Sequence, residues 1–307
     1  MVATAAVPAL AATPTPAAMP SASRSVVSPT APGAAGAPNG PVQQAQAKAK
    51  ATGKQVTVDA LTTETSMTVA NPDGSLTVTH NEQPIRVQKN GSWTPVNATL
   101  GKNGDGTFSP AATPSGVTLS GGGSGPLAGF TDAAGHHLAL TLPFALPTPT
   151  VNGDSAHYAD VLPGVDLDAT VTDQGAFHEV LVVHDAAAAA NPQLRTLRLA
   201  INSNGLKTSS DQDGDLTVKA ADGTPAFAAP APVMWDSSTP TGTASQTAAP
   251  VTTPAPAPAA AAAGPATAVD GSSAATSSKD GPGQAAHVSK LNVQADPGAI
   301  TLTPDPA

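Results

Sequence analysis

Two aspartates in the middle of this sequence are spaced so that they could do chemistry together. Asp166 and Asp168 lie in a run of alternating apolar and polar residues, so a strand here would place both carboxylates on one face. A carboxylate pair of this kind can act in glycoside hydrolysis or bind Ca²⁺. An ordinary solvated strand face after the Pro163-Gly164 turn explains the same pattern, and we favour that interpretation.

A second acidic group resembles a calcium-binding loop. Asp211, Asp213 and Asp215 surround Gly214, but the EF-hand pattern needs glycine at its sixth position and glutamate at its twelfth. Here the glycine is fourth and the twelfth residue is Asp222, so we favour a hairpin turn rich in aspartate and glycine. If the chain binds calcium, this loop is our first choice; the sequence indicates no other cofactor.

The remaining candidates for chemistry are aromatic residues and histidines. Trp93 and Trp235 could form a platform for a sugar ring, but each lies within two residues of a proline or an apolar side chain, which favours core anchors. His178-Glu179 and His184-Asp185 offer acids and bases. The chain has no cysteine and no Gly-x-Ser-x-Gly motif to supply a nucleophile, so the sequence favours a protein without enzymatic activity.

The composition excludes several classes of function. The chain has 307 residues with 13 Lys and Arg against 22 Asp and Glu, a net charge of −9, so no nucleic-acid interface built from clustered cations is expected. The lack of cysteine removes disulfides, thiol redox chemistry and Cys-type zinc sites. No stretch approaches the ~18 to 20 apolar residues of a membrane-spanning helix.

The elements that must position these residues are strands. Residues 55–236 alternate short runs of Val, Thr, Leu and Ile with clusters of Gly, Asn and Asp, which is typical of an all-β domain. Asn71-Pro-Asp-Gly74 predicts a hairpin between residues 64–70 and 75–80, and Asn90-Gly91 predicts a type I′ hairpin. Val180 to Val183 is apolar on both faces and should be central. We therefore predict an all-β antiparallel sandwich or layered sheet.

Regions rich in Ala and Pro surround this domain. Residues 1–54 are predicted to be disordered because they cannot bury enough apolar area. Ala9-Leu10-Ala11 resembles a signal-peptidase site, so this segment is either the remnant of a longer signal peptide or an ordinary tail. Residues 237–283 are predicted to be a Pro/Ala/Ser/Thr linker. Residues 284–307 predict a hairpin that either docks on the main domain or belongs to a truncated one.

Several motifs of the β-rich region resemble one family. They are Asn71-Pro-Asp-Gly-Ser75, Asn90-Gly-Ser-Trp-Thr-Pro-Val96, Tyr158-Ala-Asp-Val-Leu-Pro-Gly-Val-Asp-Leu167 and Phe177-His-Glu-Val-Leu-Val-Val183. Together they are similar to the N-terminal β-rich region of large secreted actinobacterial proteins that carry LamG-like jelly-roll or RHS-type repeat modules. Related chains often have Lys where this chain has His184, and the downstream LamG-like module does not occur in this sequence.

The resemblance implies secretion, a surface or cell-wall setting, and no catalytic residues to transfer. The expected partners are cell-wall or extracellular polysaccharide, or other surface protein domains. We therefore predict a non-catalytic extracellular structural or interaction module of a larger secreted or cell-surface protein. Two alternatives stay open: a carbohydrate-binding or carbohydrate-processing accessory module, and a truncated gene product without independent function.

Overall fold

A computed structural model describes residues 3–12, 40–237, 277–283 and 285–304. Strands are the main element of the described residues, with 49% of them in strands and 10% in helices. The strands pair antiparallel, consistent with an all-β sandwich. The predicted fold class is confirmed.

The elements follow one another along the chain with short connections. The strands are Ala3–Ala12 (β1), Val56–Thr57 (β2), Ser66–Ala70 (β3), Leu76–His80 (β4), Arg86–Lys89 (β5), Ser92–Pro95 (β6), Asn97–Lys102 (β7), Phe108–Ala112 (β8), Gly116–Leu119 (β9), Ala128–Thr131 (β10), His137–Thr141 (β11), Thr150–Asn152 (β12), Ser155–Leu162 (β13), Val165–Val171 (β14), Phe177–Val183 (β15), Leu197–Asn202 (β16), Lys207–Ser210 (β17), Leu216–Lys219 (β18), Pro225–Ala229 (β19), Val233–Asp236 (β20), Val288–Asp296 (β21) and Ala299–Pro304 (β22). The α-helices are Pro41–Thr52 (α1) and Ala186–Ala189 (α2).

Seventeen of the strands form one continuous sheet, which is made of three groups of strands. Strands β1 and β21 connect the groups, because each of them pairs with strands of two groups. The first group runs β12-β13-β14-β15-β1-β20-β21. The second runs from β21 through β22, β16, β11, β10, β9 and β8 to β7, and the third continues β1 into β19, β18 and β17. The β2-β3-β4 sheet and the β5-β6 hairpin are separate.

Aromatic side chains from all three groups meet in one core. The Phe130 ring of β10 lies 5.4 Å from the Phe177 ring of β15, edge to face, and 6.3 Å from the Phe227 ring of β19. Aromatic pairs at these separations are favourable. Tyr158 is fully buried and its hydroxyl donates a 2.8 Å hydrogen bond to the Ser120 carbonyl. The core therefore lies between the strand groups, as a sandwich requires.

One five-residue turn recurs through the molecule and makes many of the hairpins. In each copy the backbone amide of the first residue donates to the carbonyl of the fifth residue, and the amide of the fourth residue, a glycine, donates to the carbonyl of the first. The copies are residues 71–75, 103–107, 132–136, 172–176, 211–215 and 220–224. The fourth-position glycines have φ between 71° and 90°, which L side chains adopt only with strain. The predicted hairpin at Asn71 is present, and Asn90 and Gly91 have the positive φ of the predicted type I′ turn.

The segment before residue 55 differs from its predicted disorder where the structure describes it. Helix α1 begins with Pro41 at its first turn and ends at Gly53, whose φ of 65° forms the left-handed cap. Its Ala45 and Ala49 pack on Val58 and Ala70 in a small second core. Residues 3–12 form β1 inside the main sheet. The Ala-rich composition concealed both elements, because small residues carry little periodic signal.

The C-terminal region also contains more structure than a linker. The end of the predicted 237–283 linker packs on the domain: the Trp235 indole donates to the Ser278 carbonyl at 3.2 Å, and the Ser277 hydroxyl donates to the Asp236 carbonyl. The predicted terminal hairpin is β21-β22, which pairs with β20 and β16. Residues 238–276 of the predicted linker lie outside the described residues.

Candidate functional site

The outer surface of the β13-β14-β15 sheet carries the two aspartates that the sequence singled out. Strand β14 alternates strictly, with Val165, Leu167 and the other apolar residues fully buried. Asp166 and Asp168 therefore point to the opposite face, with 16% and 13% of their side-chain surface exposed. Strand β15 pairs with β14 on one side and with β1 on the other, so it has the central position in the sheet that its apolar residues predict.

Two histidines from the neighbouring chain segments join these carboxylates. The His157 Nδ1 lies 3.1 Å from an Asp168 oxygen, and its Nε2 lies 3.8 Å from Asp166. The His184 Nε2 lies 2.8 Å from the same Asp166 oxygen. We call His157, Asp166, Asp168 and His184 the Asp–His face. Sequence reasoning brought the aspartates together and missed both histidine contacts, because they depend on strand register.

Register explains how the cluster is assembled. His157 of β13 is directly opposite Asp168 of β14, and directly opposed residues share a face of the sheet. His184 follows the last residue of β15, one position beyond Val183, whose partner is Val165. The cluster could have been predicted by aligning the alternating apolar and polar residues of the three successive strands, starting from the Pro163-Gly164 turn.

The groups around the Asp166 carboxyl favour its charged form. Partial burial by itself raises the pKa of the Asp166 carboxyl, but the Asp160 amide, the His184 hydrogen bond and the charges of both imidazoles more than offset this and lower it. The Asp160 amide donates at 2.8 Å. Asp160 has a φ of 52°, a left-handed conformation that aspartate tolerates better than most residues. An anionic Asp166 is therefore built into the surface.

The same face continues toward the segment 277–283. Burial lowers the pKa of His178, assisted by the positive charge of Lys279 and opposed by Asp280 and Asp154. Lys279 bonds Asp280 at 2.8 Å, and this contact raises the pKa of the lysine more than burial lowers it. The Lys279 cation thus bonds Asp280 and lies close enough to Asp168 and Asp154 to interact with their charges.

This arrangement is a fixed polar surface. The imidazoles of His157 and His184 are its outermost groups, with 41% and 49% of their side chains exposed. The Asp166 and Asp168 carboxylates beneath them are hydrogen-bonded to these imidazoles. Among the residues that the structure describes, no group of three or more His, Cys, Asp or Glu side chains is placed to hold a metal ion. Exposed imidazole and carboxylate groups can exchange hydrogen bonds with hydroxyls, amides and water.

The predicted calcium loop is one of the recurrent turns. The Asp211 carboxylate accepts hydrogen bonds from the amides of Asp213 and Asp215, both at 2.9 Å. The Asp215 carboxylate accepts from the Ala231 amide at 2.7 Å. The Asp211 carboxylate therefore stabilises its own loop, as expected of a turn, and the Asp215 carboxylate bonds the connection between β19 and β20. Calcium binding at this loop stays a prediction.

Trp93 lies on the β5-β6 hairpin, apart from the Asp–His face, and is half-buried. It is directly opposite Gln88, which lines a groove of about 390 Å³ together with Lys89, Pro110, Pro114 and neighbouring residues. Trp235 is 4% exposed, so it is the core anchor that the sequence favoured. Trp93 does not belong to either hydrophobic cluster of the described residues, which leaves its ring available in part.

Glu179, which the sequence analysis named as a possible acid or base, is a buried carboxyl group. It lies on the core-facing side of β15, between Phe177 and Leu181, and is 2% exposed. Neither carboxyl oxygen has a hydrogen-bond partner within the described residues, and burial raises the pKa of this group well above its ordinary value. Burial therefore favours the neutral form of this carboxyl group over the charged form.

No protein-family model, no curated protein and no solved structure matches this chain. The resemblance to actinobacterial surface proteins therefore stays a prediction. Among the described residues, none of the helices combines the length and the apolar character needed to cross a membrane.

Proposed function

We propose that the chain is a non-catalytic structural or interaction module of a larger secreted or cell-surface protein, and that the Asp–His face is its contact surface. One observation carries the proposal: Asp166 and Asp168 lie on an open sheet face, already bonded to His157 and His184. Side chains already held in place by hydrogen bonds suit recognition of a partner, because few groups need to be ordered on binding.

The distribution of acidic groups argues against glycoside hydrolysis. That chemistry needs one carboxylic acid with a raised pKa and one carboxylate on opposite sides of the same bond. Here the pKa of Asp166 is lowered while the pKa of Glu179 is raised. The two groups lie on opposite faces of the sheet, since Asp166 is directly opposite Val182 and Glu179 opposite Ala169. No substrate can reach both.

The extracellular setting rests on the sequence. The resemblance over residues 56–235 implies secretion, and the Pro/Ala/Ser/Thr composition of residues 237–276 is typical of surface-spanning stalks. The lack of cysteine does not argue against this setting, since a core of this size needs no disulfide. The partners that suit an Asp–His face are polyhydroxy polymers of a cell wall or a protein surface with exposed amides and cations.

A carbohydrate-binding accessory module is the second candidate, favoured by a different observation. Trp93 is half-buried and lies opposite Gln88, one of the residues that line the groove. A partly exposed indole next to hydrogen-bonding side chains is the usual arrangement for holding a sugar ring. This candidate makes β5 and β6 the binding surface and gives the Asp–His face no part in it.

A glycan array and a panel of chromogenic glycosides separate these candidates. The proposal predicts no turnover of any glycoside by the full chain, and no loss of partner binding in Trp93→Ala. Glycan binding that disappears in Trp93→Ala while circular dichroism stays unchanged would favour the second candidate. Turnover that disappears in Asp166→Asn would overturn the non-catalytic assignment.

A further inference from the structure

The main sheet contains a slot that is filled by the N-terminal strand. Strands β15 and β20 both run antiparallel to β1, and β1 lies between them. Thr4 is opposite Val182 on one side and Trp235 on the other. Further along, Ala11 and Ala12 pair with β19. Without β1, two parallel strands would present unpaired backbone edges across a gap one strand wide.

The connection to this strand is long. Residues 13–39 join Ala12 to the segment before α1, and a chain of that length reaches about 90 Å when extended. Because β1 is held in the sheet through pairing with β15, β19 and β20, a second molecule could donate the same ten-residue strand and restore the same backbone pairing. The number of residues between Ala12 and Gly40 does not confine β1 to its own molecule.

The middle of the slot is poorly matched to its occupant. Pro8 lacks an amide hydrogen, and proline inside a central strand removes a ladder bond. The register of β1 against β15 shifts between Val7 and Leu10, which accommodates it as a bulge. At the same point Val7 is opposite Glu179, whose buried carboxyl lacks a hydrogen-bond partner among the described residues. Both features weaken the pairing of β1 with the neighbouring strands.

We propose that residues 3–12 are an exchangeable strand, and that the slot between β15 and β20 accepts this strand from a second copy of the chain to form a reciprocal strand-swapped dimer. The partner is a second copy because the complementary strand, in a defined register, is part of this chain. At low concentration the strand returns to its own slot, since the tether gives it a high effective concentration. At high concentration, or when chains are packed on a surface, exchange between copies is favoured.

The absence of native cysteine makes a disulfide test direct. Thr4→Cys and Val182→Cys are purified as separate full-length chains, unfolded together, refolded at high concentration and oxidised. Paired positions in adjacent strands are close enough for a disulfide. The control mixes Thr4→Cys with Ser209→Cys, since Ser209 is exposed on β17 and pairs with β18. A chain that carries both Thr4→Cys and Val182→Cys, oxidised when dilute, reports whether β1 occupies its own slot.

The expected result is a covalent dimer from Thr4→Cys with Val182→Cys, little from the Ser209→Cys control, and an intrachain disulfide in the dilute double variant. Light scattering of the wild-type chain should then show twice the monomer mass at high concentration. Intrachain disulfide with no mixed dimer would overturn the exchange. Equal dimer in both mixtures, or no disulfide within or between chains, would overturn the placement of the strand in the slot on which the proposal depends.

Discussion

The buried carboxyl of Glu179 provides a prediction whose size can be worked out from the structure. It is 2% exposed, and neither oxygen has a partner within the described residues. Glu179→Met keeps an unbranched side chain and removes both polar atoms. An unsatisfied buried polar group costs about 1–3 kcal/mol, so the variant should gain about that much free energy of unfolding. For a domain of about 150–250 residues, each 1 kcal/mol raises the melting temperature by roughly 2–4 °C.

The same residue predicts the direction of a pH dependence. Because burial raises the folded-state pKa of Glu179, the folded chain holds a proton that the unfolded chain releases above its own pKa of about 4.3. The stability that depends on protonation of Glu179 is therefore fully present below that pH and is lost as the pH rises toward the folded-state pKa. The slope approaches about 1.4 kcal/mol per pH unit. Glu179→Gln cannot ionise and should lack this slope.

Urea unfolding followed by tryptophan fluorescence measures both effects, because Trp235 is buried in the folded chain. Wild type, Glu179→Met and Glu179→Gln are compared between about pH 4 and 8, the range in which the linkage acts. The reasoning is refuted if Glu179→Met is less stable than wild type at every pH. It is equally refuted if the wild type and Glu179→Gln give parallel curves of stability against pH.

Three further predictions concern single contacts. Tyr158→Phe leaves the Ser120 carbonyl without its 2.8 Å hydrogen bond and should lose about 1–2 kcal/mol by calorimetry, with an unchanged circular dichroism spectrum; an unchanged melting temperature would count against the bond. Asp166, whose pKa is lowered, contributes stability that is present above about pH 3.9 and is lost as the pH falls. The free energy of unfolding of Asp166→Asn should therefore fall less steeply below that pH than the free energy of unfolding of the wild type. The same fall in both chains would contradict this prediction. A Cβ at Gly121 would meet the Gly106 carbonyl, whereas Gly125 faces open space; Gly121→Ala should lower the urea midpoint and Gly125→Ala should not, and equal midpoints would refute the close approach.

Local sequence patterns predicted the parts of the fold that depend on neighbours in sequence. Asn90-Gly91 and the turns ending in glycine specify their hairpins because few residues adopt positive φ. The alternation in residues 165–171 placed Asp166 and Asp168 on the polar side of β14, as the structure shows. In these segments the backbone preference and the apolar pattern indicate the same answer, so the prediction needs no tertiary information.

Elements that depend on distant pairing could not be predicted in this way. Strand β1 is built mostly from small residues around Pro8, and its place between β15 and β20 follows from pairing with residues at least 167 positions away in sequence. Helix α1 is similarly hidden, since its buried face consists of Ala45 and Ala49. The contacts of His157 and His184 with Asp166 arise only when three strands are in register.

Co-sedimentation with purified, insoluble cell-wall polysaccharide measures whether the Asp–His face is a contact surface. The wild-type chain is compared with Asp166→Asn/Asp168→Asn, which removes the carboxylates of the Asp–His face, and with Asp211→Asn/Asp213→Asn, which changes the net charge equally. In the control, Asp211 is the first residue of a turn that has asparagine at the same position in two other copies, Asn71 and Asn103, and Asp213 is exposed. The account predicts that the wild type and the turn variant bind alike and that the Asp–His variant loses binding while remaining folded. Equal binding by all three chains, or a loss confined to the turn variant, would contradict the assignment of the Asp–His face as the contact surface.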